Sequence, residues 1–218
     1  MQRQRVISFI DGFNLYHAIS SLHRPELQWV NLHSLSKVFL KSHSEELCKV
    51  FYFSAYAEHV TVVKQKSQKS YLQALELTGV EAVLGQFKEK VKRCPVCHSK
   101  WMGHEEKETD VNLALFVLNL AYLDAFDRAL IISNDSDLTP AIRMVRNQFP
   151  RKRITTVAPP NLYHSRELMQ AASDKTKIRV EHLERSVLPL VVANQSGLVW
   201  VSLPQEYMSR SVVHSAPG

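Results

Sequence analysis

Asp135 and Asp137 follow directly on the apolar run of LIISNDSDLTPAI, residues 130–142, and Asp11 follows another in VISFIDGFNLYHAI. Carboxylates crowded beside buried strands repel one another and raise one another's proton affinity. Keeping them is costly unless a cation binds there. Hard cations such as Mg²⁺ or Mn²⁺ take oxygen ligands. Two of them roughly 3.5–4 Å apart activate water and stabilise the leaving oxygen in phosphodiester hydrolysis. A fourth acid, Asp110 in EEKETDVNLALF, opens the most apolar helical stretch of the chain. Taken singly, each has a plainer reading: Asp110 as a helix-start acid behind a Thr109 cap, Asp11 in an Asp-Gly turn, Asp135 and Asp137 as caps for a helix at Ser136. Their joint occurrence favours a site.

For these acids to meet, the strands ahead of them must share a sheet. Val6–Ile10 and RALIIS read as short buried strands, as do CKVFYFSAY and RITTVA. Helical patterning covers about Asn14 to Leu22, VNLHSLSKVFL with Asn31 as cap, and Thr61 to Leu77 closed by Gly79. It returns in TDVNLALFVLNLAYLDAF, with Val111, Leu115, Leu118 and Tyr122 on one face, from Ser136 to Asn147, and near Tyr163–Ala172. VEAVLGQFKEKVKR reads as a strand pair, CPVCHSKWMGHEEKE as irregular, and LPLVVANQSGLVWVSLP as a hairpin in a weakly patterned tail. Strands alternating with helices predict an α/β fold around a mainly parallel sheet. Its functional crevice would lie beyond the carboxyl ends of the strands.

FIDGFNLYHAI, KETDVNLAL and ALIISNDSDLTPAI, in that order, resemble the NYN domain proteins, the LabA-like branch of the PIN-like nuclease superfamily. The resemblance runs from about Val6 to the strand after Arg153. It implies a Rossmann-like (PIN-like) three-layer sandwich and a metal-dependent ribonuclease site. Carried across by motif, Asp11, Asp110, Asp135 and Asp137 are the catalytic acids and ligands for Mg²⁺ or Mn²⁺, and Asn14 is the neighbouring amide. Lys107, Ser133, Ser136 and Arg143 are candidate substrate contacts. Glu108 and Asn134 stand near places where family members often carry glycine, and Phe116 replaces a further aspartate. The expected organisation is a nuclease domain over residues 1–182, with a Cys-containing insertion at about 88–106, and an extension over 183–218.

Cys94-x2-Cys97 is half of a structural Zn²⁺ site, because one tight turn presents both sulfurs to an ion. His104 or His98 would supply the third ligand, and Cys48 or another His the fourth. A thiol redox centre needs its first Cys at a helix N-terminus, and no helical pattern follows; free thiols in a turn are the remaining reading. Lys88, Lys90, Lys92 and Arg93 fall mostly on one face of a strand. Arg143, Arg146, Arg151, Lys152 and Arg153 lie close in sequence to the acid pair, where phosphates need neutralising. Trp101 and Tyr56 are candidates to stack on unpaired bases.

A chain of 218 residues, 45% hydrophobic, suits one domain with a small appendage. Its net charge of +6 fits a nucleic-acid partner. No window approaches the roughly 20 apolar residues of a membrane span, and the first apolar run is too short for a leader, so a cytoplasmic protein is expected. Neither G-x-G-x-x-G nor G-x-x-x-x-G-K-S/T occurs. Phe13 stands where a haloacid-dehalogenase-like phosphatase would carry its second Asp. The expected function is a ribonuclease acting on single-stranded or loop RNA. The alternative is a catalytically weak RNA-binding or scaffold protein with the same fold. The sequence is compatible with a homodimer.

Overall fold

The computed structural model describes residues 3–57 and 60–208. Strand β1 (Gln4–Asp11) leads into helix α1 (Gly12–Ser20), and α2 (Leu32–Lys37) follows a 3-10 turn at Pro25–Gln28. Then come β2 (Glu45–Ala55), α3 (Val62–Leu77), β3 (Val80–Arg93), β4 (Lys100–Lys107), α4 (Thr109–Tyr122) and β5 (Arg128–Ile132). A 3-10 turn at Ser136–Leu138 precedes α5 (Thr139–Gln148). The chain continues through β6 (Arg153–Ala158), α6 (Arg166–Ala171), β7 (Asp174–Lys177), α7 (Val180–Glu184), β8 (Val191–Ala193) and β9 (Trp200–Ser202).

Seven strands form one sheet in the order β4-β3-β2-β1-β5-β6-β7. Every neighbouring pair is parallel except β3 with β4. From β1 the chain builds one way through β2 and β3, and from β5 it builds the other way. Such a reversal opens a crevice beyond the strand ends, between β1 and β5. Asp11 ends β1 and Ser133 to Asp135 follow β5, so the topology delivers these residues to one crevice.

Alternation along the strands decides which face each residue serves. Val6 and Ile10 pack with Leu15 and Ile19 of α1 and Leu72 and Leu75 of α3. Ile7 and Phe9 pack on the other face with Leu113 and Val117 of α4 and Ile142 of α5. Successive strand residues point to opposite faces, so Asp11 falls on the α4 side. In β5 the same rule sends Ala129 and Ile131 to that side, and Ser133 follows them to meet Asp11.

Several sequence expectations change. VEAVLGQFKEKVKR is one strand, and the segment read as irregular supplies β4, its antiparallel partner. Only Val80–Gly85 pairs with β2, so the rest of β3 and β4 form a two-stranded arm. On α4, Val111, Leu115 and Tyr122 are exposed, and Leu113, Val117 and Ala121 are buried. The helix is apolar all round, so periodicity alone could not say which face meets the sheet. Thr109 does not cap it; Glu108 precedes the helix without a side-chain cap bond, and Thr109 is buried. Strand β7 and helix α7 are additions. The tail hairpin forms from β8 and β9; Val192 and Val201 pack on Trp29 and Ala74, and Trp29 Nε1 donates to the Pro189 carbonyl at 2.9 Å. Residues 209–218 of the expected extension lie outside the described residues.

Candidate active site

Asp11 caps α1: its Oδ1 accepts from the Asn14 backbone N–H at 3.0 Å and its Oδ2 from Ser133 Oγ at 2.7 Å. Gly12 allows the helix to start this close to β2, since a Cβ there would lie 2.5 Å from the Phe53 carbonyl and 2.7 Å from the Tyr52 ring. Asp135 caps the following 3-10 turn, accepting from the Asp137 N–H at 2.9 Å, while its own N–H donates to Ser133 Oγ at 3.0 Å. Asp135 therefore does the capping work of its plainer reading, Asp11 caps α1 where its plainer reading was an Asp-Gly turn, and both still border the crevice.

Asp110 arrives by a different device. Gly85 on β3 lets the end of β4 pass close by, because a Cβ there would meet the Lys107 carbonyl at 2.5 Å. The chain then turns into α4 through Glu108, whose φ of 78° is left-handed. Glu108 stands near one of the places where the resemblance implies glycine. At the other, Asn134 accepts from the Ser165 N–H at 2.7 Å and donates its own N–H to Asn14 Oδ1 at 3.0 Å. Asn14 is thus a brace between α1 and the loop after β5. Phe116 packs edge-on against Phe51 and Phe53 at 5.2 and 5.4 Å, in the core.

A cleft of about 350 Å³ is lined by Asp11, Asn14, Asp110 and Asp135, and also by Glu106. Glu106 is the functional candidate that sequence reasoning missed. With β4 taken for irregular chain, nothing distinguished it from Glu105. Strand alternation does so: Glu105 points out to Lys90 and Lys107, at 2.8 and 3.0 Å, and Glu106 points in. Its Oε1 is buried without a hydrogen-bond partner. Burial, then the neighbouring Asp110 and Asp11, pushes its pKa up to about 7. Burial also raises Asp11, to about 6, against the pull of its two hydrogen bonds. Asp110 is raised as well, by burial and by Asp135 and Asp137.

The remaining candidates divide. Ser133 is buried and holds Asp11, so it is no substrate contact. Ser136 and Asp137 are exposed and do not line the cleft, although Asp137 lies near enough to Asp110 to raise its pKa. Lys107 and Arg143 are exposed and line neither this cleft nor the larger one beside it. Cys94 and Cys97 sit at the turn of the arm as free thiols, with Cys97 lowered to about 7 by Ser99. His104 pairs with Glu89 down the arm. It stands four residues beyond Lys100, where the ladder begins, or roughly 13 Å from the turn at strand rise, so it cannot share an ion with the cysteines.

Four carboxylates, one with an orphaned buried oxygen, make a hard-oxygen donor set suited to Mg²⁺ or Mn²⁺. Among the described residues, no three His, Cys, Asp or Glu side chains are already placed to hold one ion. Asp11 and Asp135 turn oxygens to backbone N–H groups and Ser133 instead.

Fold and crevice together define a Rossmann-like α/β protein with an acidic centre at the sheet's switch point. The chain belongs to the NYN domain family, whose model matches residues 5–179. That places it in the PIN-like nuclease superfamily, with a nuclease-type hydrolase domain of a kind that binds nucleic acid and is generally dependent on divalent metal. Over 42 residues, 19% of this chain, it is 45% identical to the 6-hydroxy-3-succinoylpyridine 3-monooxygenase HspA of Pseudomonas putida (strain DSM 28022 / S16), 14% of which is covered. The fold is similar to that of a protein of unknown function from Vibrio parahaemolyticus, with a TM-score of 0.53 and 17% identity over 81% of this chain and 94% of that one. At that identity the likeness shows the fold alone. Among the described residues no helix is long and apolar enough to cross a membrane.

Proposed function

We propose that the protein is a Mg²⁺- or Mn²⁺-dependent ribonuclease that hydrolyses phosphodiester bonds in the crevice between β1 and β5. The observation that carries this reading is the convergence of Asp11, Glu106, Asp110 and Asp135 on one small cleft, with Glu106 Oε1 buried there unpartnered. A protein that merely binds a polyanion gains nothing from negative charge where a phosphate must sit.

Asp11, Asp110 and Asp135 would hold the metal, which when bound supplies the positive charge and Lewis acidity that phosphoryl oxygens need. Ser133 and the Asn14 N–H keep Asp11 in place. The Glu106 carboxylate, raised toward neutral pH, would take the proton of an attacking water. Asp137 adds charge near Asp110, and Asn14 locks the loop that carries Asp135. RNA as the substrate rests on the family resemblance, and unpaired RNA on the exposed Trp101 and Tyr56. Structural Zn²⁺ at Cys94 and Cys97 would need its other ligands from His98 or from outside the arm. A monooxygenase reading taken from HspA would rest on 19% of the chain, and the acidic crevice gives it no support.

The test is cleavage of an end-labelled structured RNA by the purified protein with Mn²⁺, Mg²⁺ or EDTA, beside Asp135→Asn. Metal-dependent cutting lost in the variant, with RNA still bound, supports the nuclease. Binding without cutting by either protein supports the scaffold reading instead.

A further inference from the structure

Beside the acidic cleft lies a second one of about 1310 Å³. Phe13, His17 and Glu106 line both, so the two adjoin. Its near wall is α1. That helix buries Gly12, Leu15, Ala18 and Ile19 and turns Phe13, Tyr16, His17 and Ser20 to the large cleft. Spacing of three, four and seven residues puts these on one helix face. An aromatic stripe at that spacing is ordinarily core, yet Tyr16 is 44% exposed. Phe13 is braced edge-on by Phe87 of the arm at 5.4 Å, and Tyr16 by His17 at 5.5 Å. Tyr52, buried against the start of α1, lines it too.

Of the charged residues that line this cleft, Arg24, Glu26 and Glu105 are held in ion pairs. Arg24 is bonded to Glu26 and Glu184, and Glu105 to Lys90 and Lys107. Lys64, Glu106 and Glu206 also line the cleft, with no ion pair among the described residues. Acids outnumber bases in the lining, which disfavours a phosphate chain, and the aromatic face of α1 suits a flat ring. Pockets that hold small organic ligands run roughly 300–1,000 Å³, so a nucleoside fits with room to spare. The acidic cleft, at about 350 Å³, lies at the bottom of that range.

We infer that the large cleft seats the unpaired nucleotide next to the scissile phosphate of a single-stranded RNA, its base stacked on Tyr16 and Phe13. This rests on the nucleic-acid reading of the acidic crevice and assigns a base-binding subsite to it. A duplex cannot enter, because its bases are already stacked and paired.

The experiment measures binding of a fluorescein-labelled single-stranded RNA, and of a base-free ribose-phosphate chain of the same length, by anisotropy with Mg²⁺. Asp135→Asn serves as the uncut parent. Adding Tyr16→Ala is expected to weaken RNA binding about tenfold, the scale of one lost stacking contact, and to leave the base-free chain within about twofold. Tyr16→Phe keeps the ring and should bind as the parent does. Unchanged affinity for the base-free chain also shows that the Ala variant is folded. Equal loss on both ligands, or on neither, overturns the base subsite. If the chain with Asp135 intact shows the Tyr16-dependent preference but cuts nothing, the nuclease reading falls and the subsite stands. If neither ligand binds the parent, the subsite falls with the crevice.

Discussion

Asp11 is asked to be a cap, a core-edge residue and a charge at once. Burial and its acidic neighbours raise its pKa to about 6 in the fold, so the folded state holds the proton more tightly than the unfolded state does. Below about pH 4 both states are protonated and nothing is lost. As pH climbs toward 6 stability falls, and above 6 the metal-free protein carries the full cost of about 3 kcal/mol. Asp11→Asn removes that cost. In EDTA the variant should be more stable by about 1–3 kcal/mol near pH 8 and no more stable near pH 4, by urea unfolding. Glu108 carries a smaller strain, its φ of 78°. A left-handed non-glycine residue costs roughly 1–2 kcal/mol, and glycine's extra freedom when unfolded takes back roughly 0.5–1 kcal/mol. Glu108→Gly should therefore raise the urea midpoint by the equivalent of about 0.5 kcal/mol. A loss would mean that the bond from Gln86 to Glu108 outweighs the strain.

At the scale of elements, the β3–β4 arm and α4 share one constraint. Gly85 is where β3 passes the turn into α4, so Gly85→Ala should push the Lys107 backbone away and take Asp110 with it. Overpacking of this kind costs about 1–3 kcal/mol, and cleavage should drop with Asp110 displaced; a melting curve and the RNA assay check the two effects separately. The arm also explains what the sequence reading lost. Its alternation was legible in Lys88, Lys90 and Lys92, but without the antiparallel partner Glu106 looked like any surface glutamate. Helix α4 was legible as a helix because apolar residues fill it, and illegible in orientation for the same reason. The cap at Asn31 was legible because a single side-chain oxygen reaches a nearby N–H.

At the scale of the molecule, four carboxylates held at a switch point make the metal-free fold self-repelling. Mn²⁺ or Mg²⁺ should accordingly raise the melting temperature, by linkage of binding to folding. The rise should be larger near pH 8 than near pH 5.5, where Asp11 and Glu106 keep protons that compete with the ion. Differential scanning fluorimetry with and without EDTA checks this, and Asp135→Asn should flatten the response. A rise equal at both pH values would place the ion elsewhere.

The sequence by itself determined strands β1, β2, β5 and β6, most helices, the order of the acid motifs and hence the family. Those signals are local, set by side-chain period, caps and turn residues a few positions apart. Only the tertiary structure decided that Glu106 joins the acids, that Ser133 and Asn14 hold them in place, that His104 and the cysteines stand apart, and that Tyr16 faces an open cleft. Each of these depends on which strand lies beside which and which helix face meets the sheet. Such choices are made by long-range packing of the whole core, and no short window of residues contains them.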